Sequence, residues 1–180
     1  MSRFIRFETN AYDNLEAHYT KQKEEVDCCY FLPPNKQKVC VDIGSNIGAF
    51  IHRAAEKDAF EEIYGFEPAF QTYHASLAIL RNNGLLNENR RIFNLAVAGE
   101  TGTIYALYDN GDGIAGNASL VASQKSTQRE HCLSISLDDI FDYLQIDYID
   151  YLKMDCEGSE YEILPSLESN NLFDKILSMG

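Results

Sequence analysis

"KVCVDIGSNIGAFIHRAAEKDA", residues 38–59, changes its hydrophobic period halfway along. Val39 to Ile43 is a short apolar run with strand composition and strand length. Beyond it, Ile47, Phe50, Ile51 and Ala54 recur at helical spacing. A strand, a tight joint carrying Gly44 and Gly48, and an amphipathic helix make the first half of a βαβ unit. Asn46, inside the joint, is expected to cap that helix.

The same alternation continues outward. "EIYGFEP" supplies a second strand, Ile63 to Phe66, and Pro68 suits the first turn of the next helix. That helix shows Phe70, Tyr73, Leu77 and Leu80 on one face, and Asn83-Gly84 ends it. "RIFNLAVA" reads as a third strand. The runs "TGTIYALYDN" and "HCLSISL" then have strand composition, an antiparallel excursion from the rhythm. Between them lies "GDGIAGNASLVASQKSTQ", a long loop of the kind that often carries function. Ser136-Leu137-Asp138-Asp139 resembles a capping box for a helix over 137–144. "DYLKMDCEGSEYEIL", residues 150–164, gives a strand at Tyr151 to Met154 and a helix begun by Ser159-Glu160. "KILSM" is a final strand candidate. The fold class is therefore α/β with a mostly parallel, doubly wound sheet over residues 36–180. Residues 1–35 form a polar lead-in with one weakly amphipathic helix near Tyr12 to Glu25.

A chain of 180 residues with 45% hydrophobic and 24% charged content fits one globular domain. No apolar stretch reaches the roughly 18 to 20 residues of a membrane span, and "MSRFIRFETNAYDN" lacks the apolar core of a signal peptide. A cytoplasmic location is the expectation. Five cysteines without framework spacing are expected to be reduced thiols. A net charge of -13 argues against nucleic acid, whose binding runs on clustered Lys and Arg. A small molecule or a protein suits the chain better as a partner.

In an open parallel sheet, ligands bind outside the carboxyl ends of the strands. Polar residues gather after each strand: Asp42 to Gly48, Glu67-Pro68, Asn94 to Ala96, and Asp155 to Glu160. "DIGSNIG" is neither a GxGxxG fingerprint nor a phosphate loop, but its glycines allow a tight turn and close approach to a ligand. The amides at the start of the helix are expected to point into the same space. Glu67, at the end of the second strand, can accept both hydroxyls of a ribose. The combination favours an adenosyl ligand, with Asp42 facing its amino-acid end or holding the loop's amides. His52 and His74 fall on helix faces and suit ordinary surface roles, while Tyr105, Tyr108, Asn117, Ser119 and His131 stand near the long loop.

In order and spacing, "VDIGSNIG", "GFEP", "FNLAVAGETGTI", "SLDDIF" and "LKMDCEGSEYEIL" resemble the FkbM family of S-adenosylmethionine-dependent methyltransferases. The likeness runs from Val39 to Leu167, and the last motif is its specific part. It implies a Rossmann-like class I methyltransferase fold, S-adenosyl-L-methionine as cofactor, and O-methylation of a hydroxyl on a sugar or natural product. By the same likeness Asp42, Gly44, Ser45, Asn46 and Gly48 hold the methionine end of the cofactor. Glu67 binds its ribose, and Asn94 and Ala96 lie along the adenine. Such domains usually continue through a fifth strand, a helix and a closing hairpin. Here residue 180 falls near the end of strand five, so the hairpin is expected to be lacking, with a second copy of the chain as one possible cover for that edge.

Methyl transfer to an alcohol needs a group to take the hydroxyl proton. Asp155, first after its strand, is the leading candidate and Glu157 the next. Glu160 falls in the first helical turn, where the helix dipole explains it. No metal is expected; a divalent ion on Asp155 and Glu157 is the lesser variant, because no His follows at ligand spacing. The alternative function is a catalytically inactive or truncated cofactor-binding module of the same fold.

Overall fold

The computed structural model describes residues 15–109, 118–122 and 127–180. Four strands, β1 (Gln37–Ile43), β2 (Phe60–Phe66), β3 (Arg90–Phe93) and β8 (Tyr151–Met154), form a parallel sheet in the order β3-β2-β1-β8. The chain runs from β1 outward to β3 on one side and returns to place β8 on the other. The point where strand order reverses therefore lies between β1 and β8.

Alternation of side chains along β1 divides the core into two layers. Cys40 joins Tyr151 in a cluster with α1 (Leu15–Cys29), α2 (Ala49–Glu56) and the inner face of α3 (Phe70–Asn82). Val39, Val41 and Ile43 join Leu152 in a cluster beneath α4 (Leu137–Leu144) and α5 (Glu160–Ser169). Helices thus cover both faces, as a parallel sheet requires. Ile43, Ile63, Phe66, Ile149 and Leu152 are almost wholly out of solvent. Each contributes about 1.5–3 kcal/mol by burial.

The expected third strand is two. After β3 the chain breaks at Asn94-Leu95, and β4 (Ala96–Ala98) pairs in parallel with β7 (Thr127–Ser136) in a second sheet. β7 also pairs antiparallel with β5 (Ile104–Asp109), which carries the two-residue β6 (Ala118–Ser119) on its far side. The antiparallel excursion read from the sequence is this second sheet. The segment "KILSM" also pairs: bridges Ile149 to Ile176 and Leu152 to Met179 run parallel along the free edge of β8. Met154 N–H donates to the Gly180 carbonyl at 3.0 Å, extending that pairing to residue 180.

Several local readings need correction. Asn46 does not cap α2; Gly48 does, in left-handed conformation, while Asn46 Oδ1 accepts from the Ile47 N–H at 2.8 Å. The inward face of α3 is Thr72, Ala75, Ser76, Ile79 and Leu80, and Phe70 is largely exposed. Leu80 is on that face as expected, and Tyr73 and Leu77 pack against the same cluster partly buried. His52 is not a surface residue: it is buried, stacked on Tyr19, and bonded to the Tyr19 hydroxyl. The helix of the lead-in packs on the domain through Leu15, Tyr19 and Val26, which are buried with α2. Its expected start at Tyr12 lies outside the described residues, as does Asn117. Ser136 caps α4, its Oγ accepting from the Asp139 N–H at 3.2 Å, but the box is not reciprocal: the Ser136 N–H donates to Thr101 Oγ1 at 2.8 Å instead of to the Asp139 carboxylate.

Candidate active site

The register between β1 and β8 places Asp42 directly beside Lys153. Partners in register point to the same face, and here that face lies under α1 and α2. Lys153 Nζ stands 2.9 Å from Asp42 Oδ1, with Asp42 0% and Lys153 4% exposed. The ammonium also lies over the Tyr30 and Phe50 rings, at 5.1 and 5.7 Å from their centroids. Burial disfavours the charged lysine, but the adjacent Asp42 carboxylate outweighs it and holds Lys153 above its ordinary pKa. Lys153 was not among the residues singled out from the sequence. The available signal was a lone lysine inside an apolar four-residue strand, a position that needs a buried counter-charge.

Gly44 is required where it stands. Its φ is +76°, and a Cβ there would meet the Asp155 carbonyl oxygen at 2.0 Å. The joint after β1 therefore packs directly on the joint after β8. The amides of the joint after β1 are bonded inside the protein. Gly44 and Ser45 N–H both donate to the Phe66 carbonyl at 3.0 Å, Asn46 N–H to Glu67 Oε2 at 2.9 Å, and Gly48 N–H to the Ser45 carbonyl at 2.9 Å. On its Cβ side Gly48 faces α3, where a Cβ would meet Leu80 at 3.2 Å. Ser45 is buried, and among the described residues its Oγ has no hydrogen-bond partner; the same is true of Asp42 Oδ2.

Glu67, at the end of β2, is 6% exposed. Its Oε2 accepts from Asn46 and its Oε1 from the Ala69 N–H, each at 2.9 Å. Burial raises its pKa to about 7, against the opposing pull of those two N–H bonds. Each oxygen keeps a second lone pair. Asn94 reaches back to brace this strand end: its amide donates to the Glu67 and Pro68 carbonyls at 2.9 Å each. Ala96, two residues on, lines the cleft in front of Glu67, whereas Asn94 is not part of that lining.

Past β8, Asp155 is exposed and its Oδ2 accepts from the Tyr30 hydroxyl at 2.9 Å. Glu157 is exposed too, with a φ of +51° that a non-glycine residue seldom adopts. The turn that holds it there is fastened from two sides. Glu160 Oε1 accepts from the Cys156 N–H at 3.0 Å and Oε2 from the Gly158 N–H at 2.7 Å. The Ser119 hydroxyl donates to the Glu157 carbonyl. Burial opposes charge on Glu160, yet these N–H donors keep its pKa below the ordinary carboxylate value.

Two open clefts meet at this junction and share Gly44, Asn46, Asp155 and Glu157. One, of about 470 Å³, runs over Glu67 between the apolar side chains of Phe66, Val97, Leu107 and Leu120. The other, of about 650 Å³, runs under α1 past Gln22, Glu25, Tyr30 and Lys153. Among the described residues lining the two clefts, Glu25, Glu67, Asp155 and Glu157 are acidic and Lys153 is the one cation. An elongated ligand would thus find an apolar half with a carboxylate pair of acceptors and a charged, polar half, joined where Asp155 and Glu157 stand.

Comparison with known proteins bears on the family and the fold. The methyltransferase FkbM domain matches residues 42–177. A crystal structure of a methyltransferase FkbM from Methylobacillus flagellatus KT aligns at a TM-score of 0.53 and 20% identity, over 86% of this chain and 38% of that one. The chain thus spans well under half the length of that relative. TrmK from M. capricolum, solved with S-adenosyl-homocysteine, aligns at a TM-score of 0.44 and 14% identity, over 86% of this chain and 47% of that one. No curated protein matches. The mixed α/β fold is that of class I methyltransferases, and the matched span begins at Asp42 near the end of β1 and takes in the strand-end residues Glu67 and Asp155 and all of α5. By that match the chain belongs to the FkbM methyltransferase domain family.

Proposed function

We propose that the chain binds S-adenosyl-L-methionine and transfers its methyl group to a hydroxyl of a small molecule, such as a sugar or another natural product. The observation that carries this reading is the meeting of the two clefts at Asp155 and Glu157. The residues present fit the cofactor. Glu67 has one unused lone pair on each oxygen for a ribose diol, and Phe66, Ala96, Val97 and Leu107 make a wall for a flat base. Gly44 and Asn46 would lie at the sulfur, and the polar second cleft would take the amino-acid end.

Bound S-adenosylmethionine would supply an electrophilic methyl group. The chain's own residues must then position an alcohol in line and remove its proton. Asp155 is suited to that: it lines both clefts, and the Tyr30 hydroxyl holds its Oδ2. Glu157 stands at the same junction, its backbone locked by Ser119. The acceptor class rests on the family likeness and on the carboxylate-rich mouth, which suits a neutral polyhydroxyl compound and disfavours a phosphorylated one.

The test is transfer of labelled methyl from S-adenosylmethionine to a panel of hydroxyl-bearing acceptors. Turnover by the wild type, lost in Asp155→Asn with cofactor affinity retained, supports the enzyme. Cofactor binding without turnover on any acceptor would favour the binding-module alternative.

A further inference from the structure

We infer that Lys153 is the group that receives the carboxylate of the cofactor's amino-acid end, a reading that rests on the cofactor assignment above. An amino-acid end is a zwitterion, and its carboxylate needs donors that are not already used. The joint after β1 cannot supply them from Gly44 to Gly48. Each of those amides is bonded inside the protein: to the Phe66 carbonyl, Glu67 Oε2, Asn46 Oδ1 or the Ser45 carbonyl.

Lys153 is differently placed. Its ammonium carries three donors, and one is committed to Asp42 Oδ1 at 2.9 Å. The others face the Tyr30 and Phe50 rings and the wall of the second cleft, which Lys153, Tyr30 and Phe50 line together. It is the one cation among the described residues lining either cleft. The N-terminus of α2 opens on the same wall through Ala49 and Phe50, and its dipole favours an anion there. Glu25 and Asp155, across the same cleft, are suited to the zwitterion's ammonium. Asp42 then has a role one step removed: it holds the ammonium charged and oriented within a dry layer rather than touching the ligand.

The test compares two ligands that share the nucleoside. S-adenosylhomocysteine carries the amino-acid end, and 5′-methylthioadenosine lacks it. Both are titrated by calorimetry into wild type, Lys153→Met, and the paired Asp42→Asn/Lys153→Met, which removes both buried charges and keeps a foldable core if the single variant does not fold. The expected result is a loss of about 10- to 100-fold in S-adenosylhomocysteine affinity with methylthioadenosine changed less than about twofold. Parallel losses for both ligands, or no loss for either, would overturn the assignment and leave Lys153 a structural counter-ion. If the wild type binds neither ligand, the cofactor reading itself fails, and this inference with it.

Discussion

The hydroxyl of Tyr30 donates to Asp155 Oδ2 across 2.9 Å, joining the end of α1 to the first residue after β8. Burial, and then the bond to Asp155, raise the phenol's pKa above the ordinary tyrosine value, so it stays a neutral donor. A helix that precedes the first strand thus helps to set the orientation of the carboxylate nearest the proposed reaction.

Tyr30→Phe should therefore loosen the site without emptying the core. The ring keeps its contacts with Lys153 and Phe50. The expected stability loss is about 1 kcal/mol, the value of one hydrogen bond at a partly exposed position, read from urea denaturation. Methyl transfer should fall by more than cofactor affinity. Equal loss in both would mean that the bond serves α1 rather than Asp155.

Gly44 and Gly84 make a matched pair of probes, because both have positive φ. At Gly84 a Cβ would meet nothing within 4 Å, while at Gly44 it would collide with the Asp155 carbonyl. Gly84→Ala should cost about 1 kcal/mol, the backbone penalty alone. Gly44→Ala should cost about 3 kcal/mol or more, since the β1 and β8 joints must separate. Similar costs at the two sites would contradict the close approach of those joints.

Glu67 gives a pH dependence whose sign is opposite to that of an ion-paired carboxylate. Its pKa is raised from 4.5 to about 7 by burial, so the folded state binds the proton more tightly than the unfolded one. Stability from this group is then greatest below about pH 4.5 and declines as pH rises toward 7. The total decline is about 3 kcal/mol by linkage. Glu67→Gln has no such titration. The stability difference between wild type and Glu67→Gln, measured by denaturation from pH 4.5 to 8, should move in the variant's favour as pH rises. A constant difference would show that Glu67 does not titrate in this range.

Much of this was legible in the sequence wherever the signal is local. The change of period across residues 38–59, the Ser136 cap on α4 and the Gly84 stop after α3 all depend on residues near one another in the chain. So does the arrival of Glu67, Asp155 and Glu157 at strand ends. What escaped the sequence depends on register between distant strands. Asp42 and Lys153 become neighbours only because β1 and β8 align as they do. The break of "RIFNLAVA" into β3 and β4 follows from Asn94 bending back onto β2, a contact that no propensity scale contains. The contact of Gly48 with α3 escaped it because α3 lies on a different βα unit.

The most direct test of the account is calorimetric titration of the intact chain with S-adenosylmethionine, S-adenosylhomocysteine and NAD. The two sulfur ligands should bind, and Glu67→Ala should weaken both sharply while the variant remains folded by circular dichroism. Binding of NAD, with neither sulfur ligand bound at millimolar concentration, would contradict it.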